Sequence, residues 1–220
     1  MRAFLIVVAA LLVVGCGQGR SNPFASFDSK CADLPASRFS IATVPLTYTE
    51  DNSRTIDQLT VLGGDSPEKY TTFGLTTVRF SHETDIDLRI FEDTANNRAC
   101  GTATVAVKLS MQPVIVYVAS QLTRTPCAHD ATMSHELKHV AEFRQVLDEA
   151  ARDLRGDLSD AIGTGVRRAG TRQDLERAFN AQLKAYLSTF ISQWQREMTV
   201  RQDAVDTEDE RARVAGGCRR

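Results

Sequence analysis

The residues of this chain best suited to chemistry are His135, Glu136 and His139, within the run His-Glu-Leu-Lys-His. On a helix, positions four apart share a face, so the two imidazoles can converge on one cation. Glu136 stands beside them, placed to take a proton from a water polarised by that cation. Hydrolysis is the chemistry such a set performs, and zinc is the ion expected of it. The chain holds four histidines, and this pair uses two of them.

The set works only if a helix carries it. Ala131 to Leu147 contains neither Gly nor Pro. Asp130 is suited to cap its start. Met133, Leu137, Val140 and Leu147 fall at spacings of three, four and seven, which predicts a buried stripe beside the histidines. An ordinary amphipathic helix with two surface histidines would carry the same letters, so the third ligand matters. Catalytic zinc takes three protein ligands and keeps a fourth position for water. Glu142 shares the histidine face but lies about 10 Å along the axis from His135. Its expected role is a partner for the His139 ring N–H or a solvated charge. Acids of a second long helix remain: Asp174, Glu176, Glu197, Asp203, Asp206, Glu208 and Asp209. Helix geometry alone does not choose among them.

The elements around the motif divide the chain. From Ile41 to Leu122 the pattern is strand-like. Thr77–Phe80, Ile86–Ile90 and Thr104–Leu109 alternate, and Val114–Val118 is β-branched and apolar throughout. Turn signals stand at Gly63-Gly64, Asp93 to Arg98 and Gln112-Pro113. A short helix is expected around Arg54 to Leu62. The expected sheet is antiparallel, of about four to six strands. After Ala131 the pattern turns helical. The motif helix is expected to run to about Leu158, and Gly163, Gly165 and Gly170 mark a turn. Thr171 caps a second long helix with a core stripe of Leu175, Ala178, Phe179, Leu183, Tyr186, Leu187, Phe190, Ile191 and Trp194. The fold class is therefore α+β: an N-terminal antiparallel sheet over residues 31–125, then two long helices over 126–215, the first carrying the motif.

That outline resembles the zincin metallopeptidases, and among them secreted zinc-dependent bacterial proteases of unknown substrate. The residues that carry the likeness are His135-Glu136-x-x-His139 and, more loosely, Val205-Asp206-Thr207-Glu208-Asp209, in an outline covering about residues 40 to 210. The metzincin pattern is excluded, because Glu142 and Gln145 stand where it requires Gly and His. A third ligand from a second helix is similar to the gluzincin arrangement. The resemblance implies Asp206 as that ligand, with Glu208 as the alternative, and Glu136 as the general base. It also implies that the strand Val114 to Ser120 binds an extended peptide by strand addition. An oxyanion donor is sought among His129, His82, Tyr186 and Arg144. Lys138 departs from the pattern, whose inner positions are uncharged. Facing the ion it would repel it and compete for Glu136; pointing to solvent it is harmless.

Arg2 and the apolar run Ala3 to Val14 form a targeting segment too short to span a membrane. Val13-Val14-Gly15-Cys16 resembles the lipobox of bacterial lipoproteins. The resemblance implies a signal peptide over residues 1–15, acylation of Cys16 and a lipid anchor in the bacterial envelope. Gly17 in place of an acid implies the outer membrane. Residues 16–30 are expected to be a flexible polar tether. Removal of Arg2 leaves a net charge of about −3, and no basic block argues for nucleic acid. Cys31, Cys100, Cys127 and Cys218 remain, an even number that reads as disulfides in an exported chain. Of the three pairings, Cys100 with Cys127 and Cys31 with Cys218 is the expectation. The functional expectation is a membrane-anchored zinc-dependent metallopeptidase acting on peptide or protein substrates. The alternative is a non-catalytic envelope lipoprotein that uses the same scaffold as a binding module. A metal scavenger is disfavoured, because there is no His-rich tract.

Overall fold

Alternation along Arg98–Met111 builds the central strand. In the computed structural model, which describes residues 26–64, 66–68, 71–216 and 218, this strand is β5 once four earlier ones are counted. Its Ala103, Val105, Val107, Leu109 and Met111 are buried, while Thr104, Ala106 and Lys108 face solvent. Strand β4 (Phe80–Asp93) pairs with it antiparallel along its whole length. The hairpin between them turns at Asn97, whose φ of 51° is the left-handed conformation that Asn tolerates. On the other side, β1 (Arg38–Thr43) runs parallel to β5. A short β7 (Arg167–Ala169) joins the start of β5.

A second sheet is smaller. Strand β6 (Val114–Val118) lies between β2 (Tyr48–Asp51), parallel, and β3 (Gly74–Thr77), antiparallel. The fold is thus mixed α and β, but the single antiparallel sheet is corrected to two mixed sheets. Alternation shows that strands exist; it does not show which distant strand each will meet. The expectation that Val114 to Ser120 offers an edge to a peptide is also corrected. Both sides of β6 are taken, and Ala119 N–H and Ser120 N–H already donate to Phe73 O and Arg54 O. The turn over residues 163–170 likewise contains β7.

Two long helices cover the large sheet. Helix α3 (Pro126–Ile162) has 37 residues, about 55 Å. It starts before Asp130, which is therefore not its cap: Pro126 in the first turn makes the missing N–H harmless and pre-sets φ. Helix α4 (Arg172–Val205) is capped as expected by Thr171, whose hydroxyl accepts from Asp174 N–H at 3.1 Å. Val140, Phe143, Leu147, Leu154 and Leu158 of α3 meet Phe179, Leu183, Leu187 and Trp194 of α4 over the buried face of β5. This one core fixes α3 against both the sheet and α4. Helix α5 (Glu208–Gly216) follows a two-residue break and contains no buried residue.

Helix α2 (Ile56–Leu62) forms where a helix was expected, with a capping box between Thr55 and Gln58. Helix α1 (Phe27–Ala32) occupies the end of the predicted tether, which is a correction. Ser26 caps it, Phe27 packs on Phe91 at 5.6 Å, and Cys31 bonds Cys100. The segment read as a signal peptide, Cys16 and the tether up to residue 25 lie outside the described residues. Among the described residues, no helix is long and apolar enough to cross a membrane.

The disulfides are Cys31–Cys100 and Cys127–Cys218. The expected Cys100–Cys127 and Cys31–Cys218 pairs are therefore corrected. Cys100 opens β5, and α3 begins beyond its far end, so the strand puts about 36 Å between Cys100 and Met111 alone. Such a separation is out of reach of a bridge. Two bonds of this kind belong to an oxidising compartment.

Candidate metal centre

Helix α3 brings His135 and His139 to one face, one turn apart, with the rings edge to face at 4.9 Å between centroids. Both are buried. Their Nε2 atoms lie 3.3 Å from each other. The residue that closes on them comes from the end of α4. Asp206 ends that helix with a ψ of 44°, and the break aims its side chain back at α3. Its Oδ1 is 3.0 Å from His135 Nε2 and 3.3 Å from His139 Nε2. Arg211 holds the break by donating to Asp206 O at 3.0 and 2.6 Å.

Acceptors on the outer side of each ring call for a proton on Nδ1. Glu210 Oε1 lies 3.2 Å from His135 Nδ1, and a carboxylate can only accept, so Nδ1 carries the proton. Gln202 Oε1 accepts in the same way from His139 Nδ1 at 2.5 Å. The Gln202 amide nitrogen is buried without a partner, so this side chain is held for its oxygen. With both Nδ1 atoms turned outward onto acceptors, both Nε2 atoms point inward, at each other and at the Asp206 carboxylate. In the metal-free state Nε2 protons donate to the Asp206 carboxylate, and their displacement leaves three converging donor atoms, a cluster that could hold a metal ion.

The electrostatics say the same. The hydrogen bond to Asp206 raises the pKa of His135 above its usual value despite burial. Burial pulls His139 down, but Asp206 and Glu136 outweigh it and the net shift is upward. The two imidazoles hold the Asp206 carboxyl far below the ordinary carboxylate range. A cluster that attracts protons this strongly attracts any cation that fits.

Glu136 is 3 % exposed, and burial raises its carboxyl pKa, while the Thr76 hydroxyl donates to Oε2 at 2.8 Å and pulls it back. Strand β3 makes this possible through Gly74. A Cβ there would stand 2.5 Å from Glu136 Oε1, so only glycine lets the strand come this close. Lys138 turns away from the centre, and its ammonium donates to Glu210 Oε1 at 2.7 Å. The residue that breaks the motif pattern thus anchors the acid that orients His135. Arg213 and Lys138 keep the Glu210 carboxyl far below the ordinary carboxylate range.

Other candidates fall elsewhere. Glu208 is exposed in the first turn of α5, and Glu142 is not among the converging donors. His129 pairs with Glu50 at 3.1 Å. His82 is exposed on β4, opposite Leu109. Tyr186 lies about 30 Å up α4 from Asp206, in a groove with Asp153, Asp157 and Trp194. Arg144 is exposed on α3, about 13 Å beyond His135. None of these four is placed at the centre. Gln202, Glu210, Thr76 and Gly74 are, and sequence reading missed them. One signal was available: Gln202, Asp206 and Glu210 are spaced by four, as one helix face would be.

Comparison with protein-family models, with curated proteins and with solved structures finds no match for this chain.

Proposed function

We propose that this protein is a zinc-dependent hydrolase of the zincin kind, cleaving peptide bonds, exported and lipid-anchored in a bacterial envelope. The observation that carries the reading is the convergence of His135 Nε2, His139 Nε2 and Asp206 Oδ1 beside the buried carboxylate of Glu136. Donors 2.0–2.2 Å from a tetrahedral ion sit about 3.3–3.6 Å from one another. Two of the observed separations, at 3.3 Å, meet the lower bound of that range, and the third, at 3.0 Å, falls just below it. Two imidazoles and one carboxylate suit zinc better than hard cations, which prefer oxygen alone.

When bound, the ion supplies Lewis-acid polarisation and lowers the pKa of a water it holds. The chain's own residues do the rest. His135 and His139 bind through Nε2, their rings locked by Glu210 and Gln202. Asp206 closes the set, and its side chain is 44 % exposed, so the centre opens to solvent on that side. Thr76 holds Glu136 Oε2, which leaves Oε1 to accept a proton from the attacking water and return it to the leaving nitrogen. Burial raises the proton affinity of that carboxylate, which suits a base working near neutral pH. An extended peptide would lie along β3, the edge strand beside Glu136, in place of the fully paired β6.

Metal analysis of purified protein tests the site: about one zinc per chain, lost from the His135→Ala/His139→Ala double variant. Glu136→Gln tests the chemistry. It should keep zinc and lose peptide hydrolysis. Equal cleavage by the variant and the wild type would show that Glu136 is no base and that the scaffold serves binding alone.

A further inference from the structure

The two disulfides differ in setting. Cys31 and Cys100 are fully buried, whereas Cys127 is exposed and Cys218 is half-buried. The exposed bridge joins the first turn of α3 to the chain just beyond α5. Between its ends lie both halves of the metal centre: His135 and His139 on α3, then Gln202, Asp206 and Glu210 on the returning segment. Helix α5 contains no fully buried residue, and its only partly covered side chains are Glu210 and Val214. Its contacts with α3 are polar ones through Glu210, to Lys138 and His135. The Lys138 end of this network is half-exposed, and an ion pair so placed contributes modestly. The covalent bridge is thus the strong attachment of α5 to the motif helix.

We propose that the Cys127–Cys218 bridge is the latch of the metal centre, and that its reduction by a dithiol weakens metal binding. This rests on the metal-site reading given above. With the bridge closed, α5 stays against α3, and Asp206 and Glu210 act at high effective concentration. On reduction, one thiolate of the dithiol attacks a bridge sulfur and its second thiol displaces the mixed disulfide. The bridge takes up two electrons and two protons, and the dithiol becomes a cyclic disulfide. Asp206 is then held on the histidines by the end of α4 and by polar contacts alone, without the covalent tie beyond α5. Coupling of this kind is reciprocal, so a bound ion must also protect the bridge.

The test uses the oxidised full chain and the Cys127→Ser/Cys218→Ser double variant, titrated with zinc and with cobalt as a spectroscopic reporter. The variant should bind about ten- to a hundredfold more weakly. In wild type, saturating zinc should slow opening of this bridge by a soluble phosphine, followed by alkylation and mass spectrometry, and leave Cys31–Cys100 unchanged. If the variant does not fold, selectively reduced and alkylated wild type takes its place in the titration. Equal affinity with bridge open and closed, or reduction indifferent to zinc, overturns the latch while the metal site stands. An oxidised wild type that binds no ion overturns both.

Discussion

Gly74→Ala isolates the support of the general base from the grip on the ion. The new methyl would meet Glu136 Oε1 at 2.5 Å, Thr132 Cγ2 at 2.6 Å and Glu136 Cγ at 2.8 Å. A carboxylate oxygen alone could swing aside. The Thr132 methyl and the Glu136 Cγ cannot, because both side chains are buried under β3 on a helix packed to the core. Either the strand backs away or Glu136 leaves its position against Thr76. Overpacking of this kind costs about 1–3 kcal/mol. For a domain of this size that lowers Tm by about 2–12 °C. A base displaced by about 1 Å costs about a hundredfold in turnover. None of the three metal donors is among the atoms this methyl meets, so zinc content should stay at the wild-type value. Gly156→Ala is the control. It lies inside α3 with open space around it, and should raise stability by about 0.5–1 kcal/mol. Calorimetry, metal analysis and a peptide-cleavage assay on the same preparations decide the matter. A Gly74→Ala protein with wild-type Tm and turnover, or one that loses its zinc, refutes the packing argument.

The pH dependence of the metal-free protein should run opposite to that of the loaded one. His135 and His139 have raised pKa values in the fold, so their contribution is complete below the ordinary value of 6.5 and fades as pH rises through the folded values. Glu136, also raised, adds a loss in the same direction from its ordinary value of 4.5 upward, while depressed Asp206 contributes until strong acid. Metal-free Tm should therefore fall on going from pH 6 to pH 8, whereas zinc affinity should rise, by up to about a hundredfold per unit while two protons are displaced. A metal-free Tm that climbs over this interval contradicts the assigned network. Replacing Glu210 by Ala removes the partner of His135 Nδ1 and should weaken zinc binding about ten- to a hundredfold with little change in Tm. Glu210→Gln, which keeps an acceptor, should recover part of that loss; a Gln variant no better than Ala would mean the ring is oriented by something else.

Much of this centre was legible in the letters because its key relation is local. His135 and His139 are four apart on a helix, and α-helical geometry alone puts them on one face. The stripe from Leu175 to Trp194 and the cap at Thr171 are equally local, and both stand, except that Ala178 is exposed and Tyr186 half-buried. Asp206 was singled out by likeness to a pattern, and it is the acid that the break after Val205 turns inward. What the tertiary structure decided is every relation across the chain. Whether Cys100 met Cys31 or Cys127 depended on which end of β5 each element reached. Whether β6 was an edge or a centre depended on crossovers that alternation does not encode. That Lys138 serves Glu210, and that Gly74 admits Glu136, follows from packing α5 and β3 against one helix. The physical reason is range: hydrogen bonds within a helix repeat at a fixed spacing in sequence, while burial is satisfied by whichever distant surface fits.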